Sequence, residues 1–245
     1  MYGRGLANLS PVVKNLILIN VIMLLAVFTL EKVLNIDLIR VLGVYFPKSP
    51  KFEPYQVITH MFMHGGLTHL FFNMFALFMF GRVLEQVWGP KRFFIYYMVS
   101  GLGALITHET VQAIHYAKLA STLSPDQINM VLERGYEFAM QGRVFQDSAM
   151  RQMTEILLIP TVGASGAVFG ILLAFGVLFP NTQLMLLFPP IPIKAKWLVI
   201  GYGGLELWNT FAQPGSNIAH AAHLGGMIFG YILIRIWRKT TKTLY

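Results

Sequence analysis

Ser165 stands alone as a hydroxyl among small and apolar neighbours, in Gly163-Ala164-Ser165-Gly166-Ala167-Val168-Phe169-Gly170. A serine hydroxyl is a weak nucleophile at neutral pH, and its attack on a carbonyl needs a base within hydrogen-bond reach and donors for the oxyanion that forms. Two other apolar stretches carry such groups, His64 to Asn73 and His220 to Gly226. His69 and Asn73 are four residues apart and His220 and His223 three, so on helices each pair shares a face. Gly166 with Gly170, and Gly226 with Gly230, have the spacing that lets membrane helices approach closely. A serine and an imidazole on two such helices could form a hydroxyl-imidazole pair.

Each feature also has a plainer reading. A glycine pair of this spacing signals helix packing more often than catalysis, and a single membrane histidine is more often a satisfied polar contact. Several histidines together raise metal binding. No HExxH motif occurs, however, and no Asp or Glu lies close enough in sequence to complete an obvious zinc site. No metal and no cofactor is therefore expected. Glu85 and Glu206 sit in apolar stretches, where a carboxylate can mark an ion or proton path, which keeps a transporter as an alternative. The paired broken helices of a transporter are not evident.

The elements that must position these groups follow from composition. The 245 residues are 55% hydrophobic and only 12% charged, about half the charged share of a soluble domain, which indicates a membrane protein. With no cysteine there is no thiolate nucleophile or thiolate metal site. The net charge of +8 is read as orientation in, and contact with, a lipid membrane rather than nucleic-acid binding.

Hydropathy predicts six spans: Leu16 to Leu34, retained rather than cleaved as a signal peptide; Leu67 to about Val87; Phe93 to about Ile106, extending towards Ile114; a fourth from near Ile156 to before Pro180; Trp197 to about Phe211; and Ile218 to Trp237. The connector from Asn35 to Gly66 is polar, with a weak amphipathic stretch at Ile36 to Phe46. Residues His115 to Thr154 form a polar excursion too long for an ordinary connection. Ser124-Pro125-Asp126-Gln127 is a helix-start signature there, with Gly135 as a candidate interruption, so one or two amphipathic helices are expected. Leu184 to Pro192 reads as a re-entrant or interfacial piece and Gln213 to Ser216 as a turn.

No internal repeat is evident, so residues 1–245 are expected to form a single all-α transmembrane domain, with 115–154 as a partly helical extramembrane insertion. Lys and Arg collect at the ends of the first and last spans and in the short loops on that side, placing both termini in the cytoplasm. With the fourth span entering from the outer face near Ile156, Ser165 is expected at most about 15 Å deep.

His64-Gly65-Gly66-Leu67-Thr68-His69-Leu70-Phe71-Phe72-Asn73, Gly163-Ala164-Ser165-Gly166 and Ala222-His223-Leu224-Gly225-Gly226-Met227-Ile228-Phe229-Gly230 together resemble the three signatures of rhomboid intramembrane serine proteases, in the family's order. The resemblance covers most of the chain from about Tyr55. It implies a six-helix rhomboid-like bundle and cleavage of transmembrane protein substrates by a Ser-His dyad without metal; the long outer loop between the third and fourth spans, read from the polar excursion at 115–154, exceeds that of a minimal member, and the expected location is a bacterial inner membrane. On that resemblance Ser165 is the nucleophile and His223 the general base. His69 and Asn73 serve the oxyanion with the Ser165 N–H, and Gly163 belongs to the same motif. Glu85 resembles a structural glutamate of the family, while His64 and His220 are assigned structural places. Tyr55-Gln56 replaces a common Trp-Arg, and Phe169 a tyrosine found in some members. A noncatalytic rhomboid-like protein that binds membrane helices remains the alternative; such proteins typically lack the serine or the histidine.

Overall fold

The computed structural model describes residues 10–185, 190–212 and 220–240, and the expected turn at 213–216 lies outside them. Helix α1, Pro11–Leu34, begins earlier than its hydropathy suggested because Pro11 occupies the first turn, and it ends at Asn35 in the left-handed region (φ 54°). Short helices α2 (Leu38–Leu42) and α3 (Gln56–Thr59) follow, α2 being capped by Asp37, which accepts from the Arg40 N–H. Helix α4, Leu67–Ala76, passes through a π-helical turn at Leu77–Gly81 into α5, Arg82–Ala120.

Helix α5 is two helices joined at Gly89, whose φ of 77° only glycine adopts freely, and Pro90 starts the second. That second segment runs on to Ala120, past the expected end of the third span. The runs Pro11–Leu34 and Leu67–Ala120 are long and apolar enough to cross a membrane, and Ser165–Leu178 is a shorter apolar helix.

The polar excursion forms two further helices, α6 (Pro125–Met140) and α7 (Ser148–Leu158). Ser124 and Gln127 cap α6 reciprocally: the Ser124 N–H donates to Gln127 Oε1 at 2.9 Å, and the Gln127 N–H to Ser124 Oγ at 3.3 Å. Gly135 does not interrupt it; a side chain there would press on Leu158 and Thr154, so the glycine brings α6 close to α7. Val131, Phe145, Met150, Met153 and Leu157 form a core of their own that includes Phe46 from the α2–α3 connector. Across the same seam Arg40 Nη1 donates to the Tyr136 hydroxyl at 2.7 Å.

The fourth span does not start near Ile156. Ile156, Leu157 and Leu158 belong to α7 and its core, the chain then breaks at Pro160, and Thr161 pairs with Val44 in an isolated antiparallel bridge. Helix α8, Ser165–Leu178, begins at the serine itself. A depth counted from a helix start ten residues earlier therefore does not apply. Residues Gln183–Met185 (β1) and Pro192–Lys194 (β2) pair as an antiparallel hairpin, so the stretch read as re-entrant begins and ends in a strand. Helices α9 (Ala195–Ala212) and α10 (His220–Thr240) complete the described chain.

Helices α5, α8 and α10 pack together through residues without bulk. A Cβ on Gly226 would collide with the Gly166 carbonyl, and one on Gly166 with Ala104. One on Gly170 would meet Ser100 and the Gly226 carbonyl, and one on Gly230 would meet the Tyr96 hydroxyl. Tyr96 ties the seam by donating to the Gly170 carbonyl at 2.8 Å.

Helix α1 is held by Glu85. Its carboxylate accepts from the N–H groups of Val12 (3.0 Å) and Val13 (2.9 Å), first-turn donors that have no partner within their own helix.

Two expected outcomes follow from these contacts. Glu85→Ala should lower unfolding stability in detergent by about 3 kcal/mol, the scale of charge-assisted hydrogen bonds, with Glu85→Gln less affected; an unchanged midpoint would show that α1 is held otherwise. Gly226→Ala should destabilise by about 3 kcal/mol, the upper end for overpacking, because the obstructing atom is backbone. A midpoint equal to that of the unmodified protein would mean the helices can separate freely.

Candidate active site

Ser165 occupies the first turn of α8, so its own N–H and those after it have no acceptor within the helix and face the entry of the chain. Ala164 is fully buried before it, and Gly163 adopts φ 130°, a conformation that side chains resist. The Gly163 N–H donates to the His60 carbonyl at 2.9 Å, fixing this strained entry against the α3–α4 connector. The serine is thus presented by a break in the chain, not from within a helix.

His223 meets it from α10. Its Nε2 lies 2.9 Å from Ser165 Oγ, and its ring stacks on Phe169 one turn after the serine, with centroids 4.1 Å apart and planes 7° from parallel. The other ring nitrogen faces Glu206 of α9, with Oε1 3.1 Å from His223 Nδ1. Glu206 Oε2 lies 2.5 Å from Nδ1 of His220. Glu206, His220 and His223 are all buried.

The His69 ring approaches the serine beside Gly163. A Cβ built on Gly163 would lie 3.0 Å from His69 Nε2 and 3.7 Å from Ser165 Oγ, so the missing side chain keeps open a space that both groups border. Asn73 is buried one turn along α4, and its amide donates to the His69 carbonyl at 2.9 Å. His64 is buried with its ring edge-on to His69, centroids 4.9 Å apart. A small cavity touching Ser165 is lined by His60, His108, Thr161, Gly163 and Ala222, and His108 Nε2 is 3.2 Å from Thr161 Oγ1.

Of the residues singled out in the sequence, Ser165, His223, Gly163 and His69 converge, while the Asn73 amide is turned onto its own helix. Gly166, Gly170, Gly226 and Gly230 form the packing seam behind them, and Glu85 lies at the α1 anchor.

Sequence reasoning missed two features. Glu206 completes a group of three potential metal-ligating side chains whose donor atoms all lie within 4.8 Å of one another, although it is 14 and 17 residues from the two histidines. The available signal was a lone carboxylate in an apolar helix. One of its oxygens is hydrogen-bonded to His220 Nδ1, and the other lies at ion-pair distance from His223 Nδ1. The second is Gln56. It is buried, its Oε1 accepts from Tyr45 and Glu53 N–H groups, and its Nε2 donates to the Val41 and Lys51 carbonyls. It knits the α2–α3 connector while Tyr55 is exposed. In that connector, burial pushes the Tyr45 phenol up to about 12.

The family profile described as Rhomboid domain matches residues 51–240. Rhomboid protein 1, mitochondrial, of Saccharomyces cerevisiae is 29% identical over 179 residues, 72% of this chain and 40% of that protein. RHOMBOID-like protein 12, mitochondrial, of Arabidopsis thaliana is 30% identical over 188 residues, 77% of this chain and 47% of that protein. Rhomboid protease AarA of Providencia stuartii is 25% identical over 182 residues, 71% of this chain and 52% of that protein. The chain matches about half the length of these relatives. The profile takes in Ser165, His69, His223 and the glycine seam behind them, and the chain belongs to the rhomboid family of integral membrane proteins.

Proposed function

We propose that the protein is an intramembrane serine endopeptidase that cleaves transmembrane protein substrates through an acyl-enzyme. The observation that carries this reading is the 2.9 Å approach of His223 Nε2 to Ser165 Oγ, a nucleophile and base already within transfer distance. In the proposed reaction His223 takes the Ser165 proton as Oγ bonds to the scissile carbonyl carbon. The protonated imidazole then gives that proton to the departing amide nitrogen as the C–N bond breaks. Water attacks the ester, passes a proton to His223, and Oγ recovers one as the carboxylic acid leaves.

The developing oxyanion is assigned to the space beside Gly163, with donors from the Ser165 N–H, His69 and Asn73. Asn73 has a second amide hydrogen for this role while it bonds the His69 carbonyl. The cavity beside His108 and Thr161 gives a polar place for water next to the serine. No metal or cofactor enters the proposed steps. The proposed placement is a six-span domain in a bacterial cell membrane with both termini cytoplasmic; of these, only the orientation draws support from the distribution of Lys and Arg.

Cleavage of a transmembrane substrate in liposomes should be lost in both Ser165→Ala and His223→Ala, together with labelling of Ser165 by a fluorophosphonate. Full turnover in either variant would remove the serine protease reading in favour of a noncatalytic helix-binding member. His69→Ala and Asn73→Ala should each reduce turnover by about 100- to 1000-fold, the scale for loss of one oxyanion donor. A rate unchanged in one of them would strike that residue from the oxyanion site.

A further inference from the structure

Helix α9 turns mostly apolar side chains outward: Leu205, Leu207 and Trp208 are exposed, while Glu206 between them is only 7% exposed. A carboxylate buried in an apolar helix is unfavourable unless it is paired. Oε2 is hydrogen-bonded to His220 Nδ1 at 2.5 Å, and Oε1 lies 3.1 Å from His223 Nδ1, an ion-pair separation without hydrogen-bond alignment. The two imidazoles are three residues apart on α10 and stand nearly perpendicular, at 89°. A single carboxylate thus bridges the neighbouring helix at two points.

We propose that Glu206 is a positioning residue for His223, making the catalytic unit Ser165-His223-Glu206 with His220 bracing the carboxylate. The proposal rests on the serine protease reading. An ionised carboxylate is acceptor-only, so a ring nitrogen facing it must carry the proton. A proton drawn to Nδ1 by the carboxylate 3.1 Å away leaves the lone pair at Nε2, where the Ser165 hydroxyl must deliver its proton. Glu206 selects the competent tautomer and holds the ring's orientation, while Phe169 holds its plane. When the imidazole gains its second proton, the carboxylate stabilises the cation in a site of low polarity. His220, engaged with the other oxygen, keeps Glu206 from rotating away.

The test uses the full chain in liposomes with Glu206→Leu, which removes the acceptor and keeps buried volume, and Glu206→Gln, which keeps an acceptor without charge. Expected are a kcat loss of about 100-fold or more for Glu206→Leu and a smaller loss for Glu206→Gln, with KM within about twofold; removal of the third group in another serine protease lowers kcat by about 10,000-fold. Nitrogen-15 NMR of His223 at neutral pH should show the Nδ1–H tautomer in the unmodified protein and a shift towards Nε2–H in Glu206→Leu. Turnover of Glu206→Leu within threefold of the unmodified protein would overturn the proposal. So would a rate loss with the His223 tautomer unchanged, which would make Glu206 a packing residue only. Retained turnover in Ser165→Ala would instead remove the protease reading, while the tautomer measurement would still decide whether Glu206 sets the state of His223.

Discussion

The site depends on how closely two helix backbones can approach. Gly226 lies against the Gly166 carbonyl with no room for a methyl group, and the residues beside them in sequence are Ser165 and, one turn earlier on α10, His223. Helices separated by ordinary side chains would hold the hydroxyl and the imidazole several ångströms further apart. The 2.9 Å separation is therefore a property of the seam as much as of the two polar residues. Ala104, Ser100 and Tyr96 of α5 close the third side, so lateral slippage would disrupt three helices at once.

The elements outside the seam fix its ends. Glu85 gathers the first turn of α1 onto the start of α5. At the other end, the α6–α7 pair packs its own apolar core on Phe46 and on the last turns of α5, and Arg40 joins it to the connector through Tyr136. The insertion and the α2–α3 connector thus brace one another, and the Val44–Thr161 bridge passes that bracing to the strand that delivers Ser165.

Much of this was legible because hydropathy and glycine spacing report local demands. Apolar runs located α9, α10, the start of α4 and the end of α1 closely, and the Ser124–Gln127 capping box started α6 at the position it predicts. The three motifs marked Ser165, His69 and His223, which the fold gathers in one place. The start of α8 was not legible, because Ile156 to Ile159 are as apolar as a span but serve the core of α7. Hydropathy cannot distinguish burial in protein from burial in lipid. The pairing of Gln183–Met185 with Pro192–Lys194 was not legible, because it depends on partners several residues apart. The partners of Glu206 and Gln56 were not legible, since sequence spacing does not reveal them: nitrogens on another helix, and backbone atoms of a connector.

Stacked on Phe169 and linked through its Nε2 edge to Ser165, the His223 ring has little freedom to turn. In the proposed reaction the imidazole takes up a proton and returns it at the same nitrogen, so it cannot swing to meet a departing group. The burden of movement passes to the substrate: the nitrogen of the bond being cut must be carried to the ring. A polypeptide folded as a regular helix cannot supply that freedom, since its amide nitrogens are turned inward to their own carbonyls. A stationary base thus favours chains that unwind locally, and part of the selectivity of the proposed reaction would lie in the aromatic face that holds the ring still.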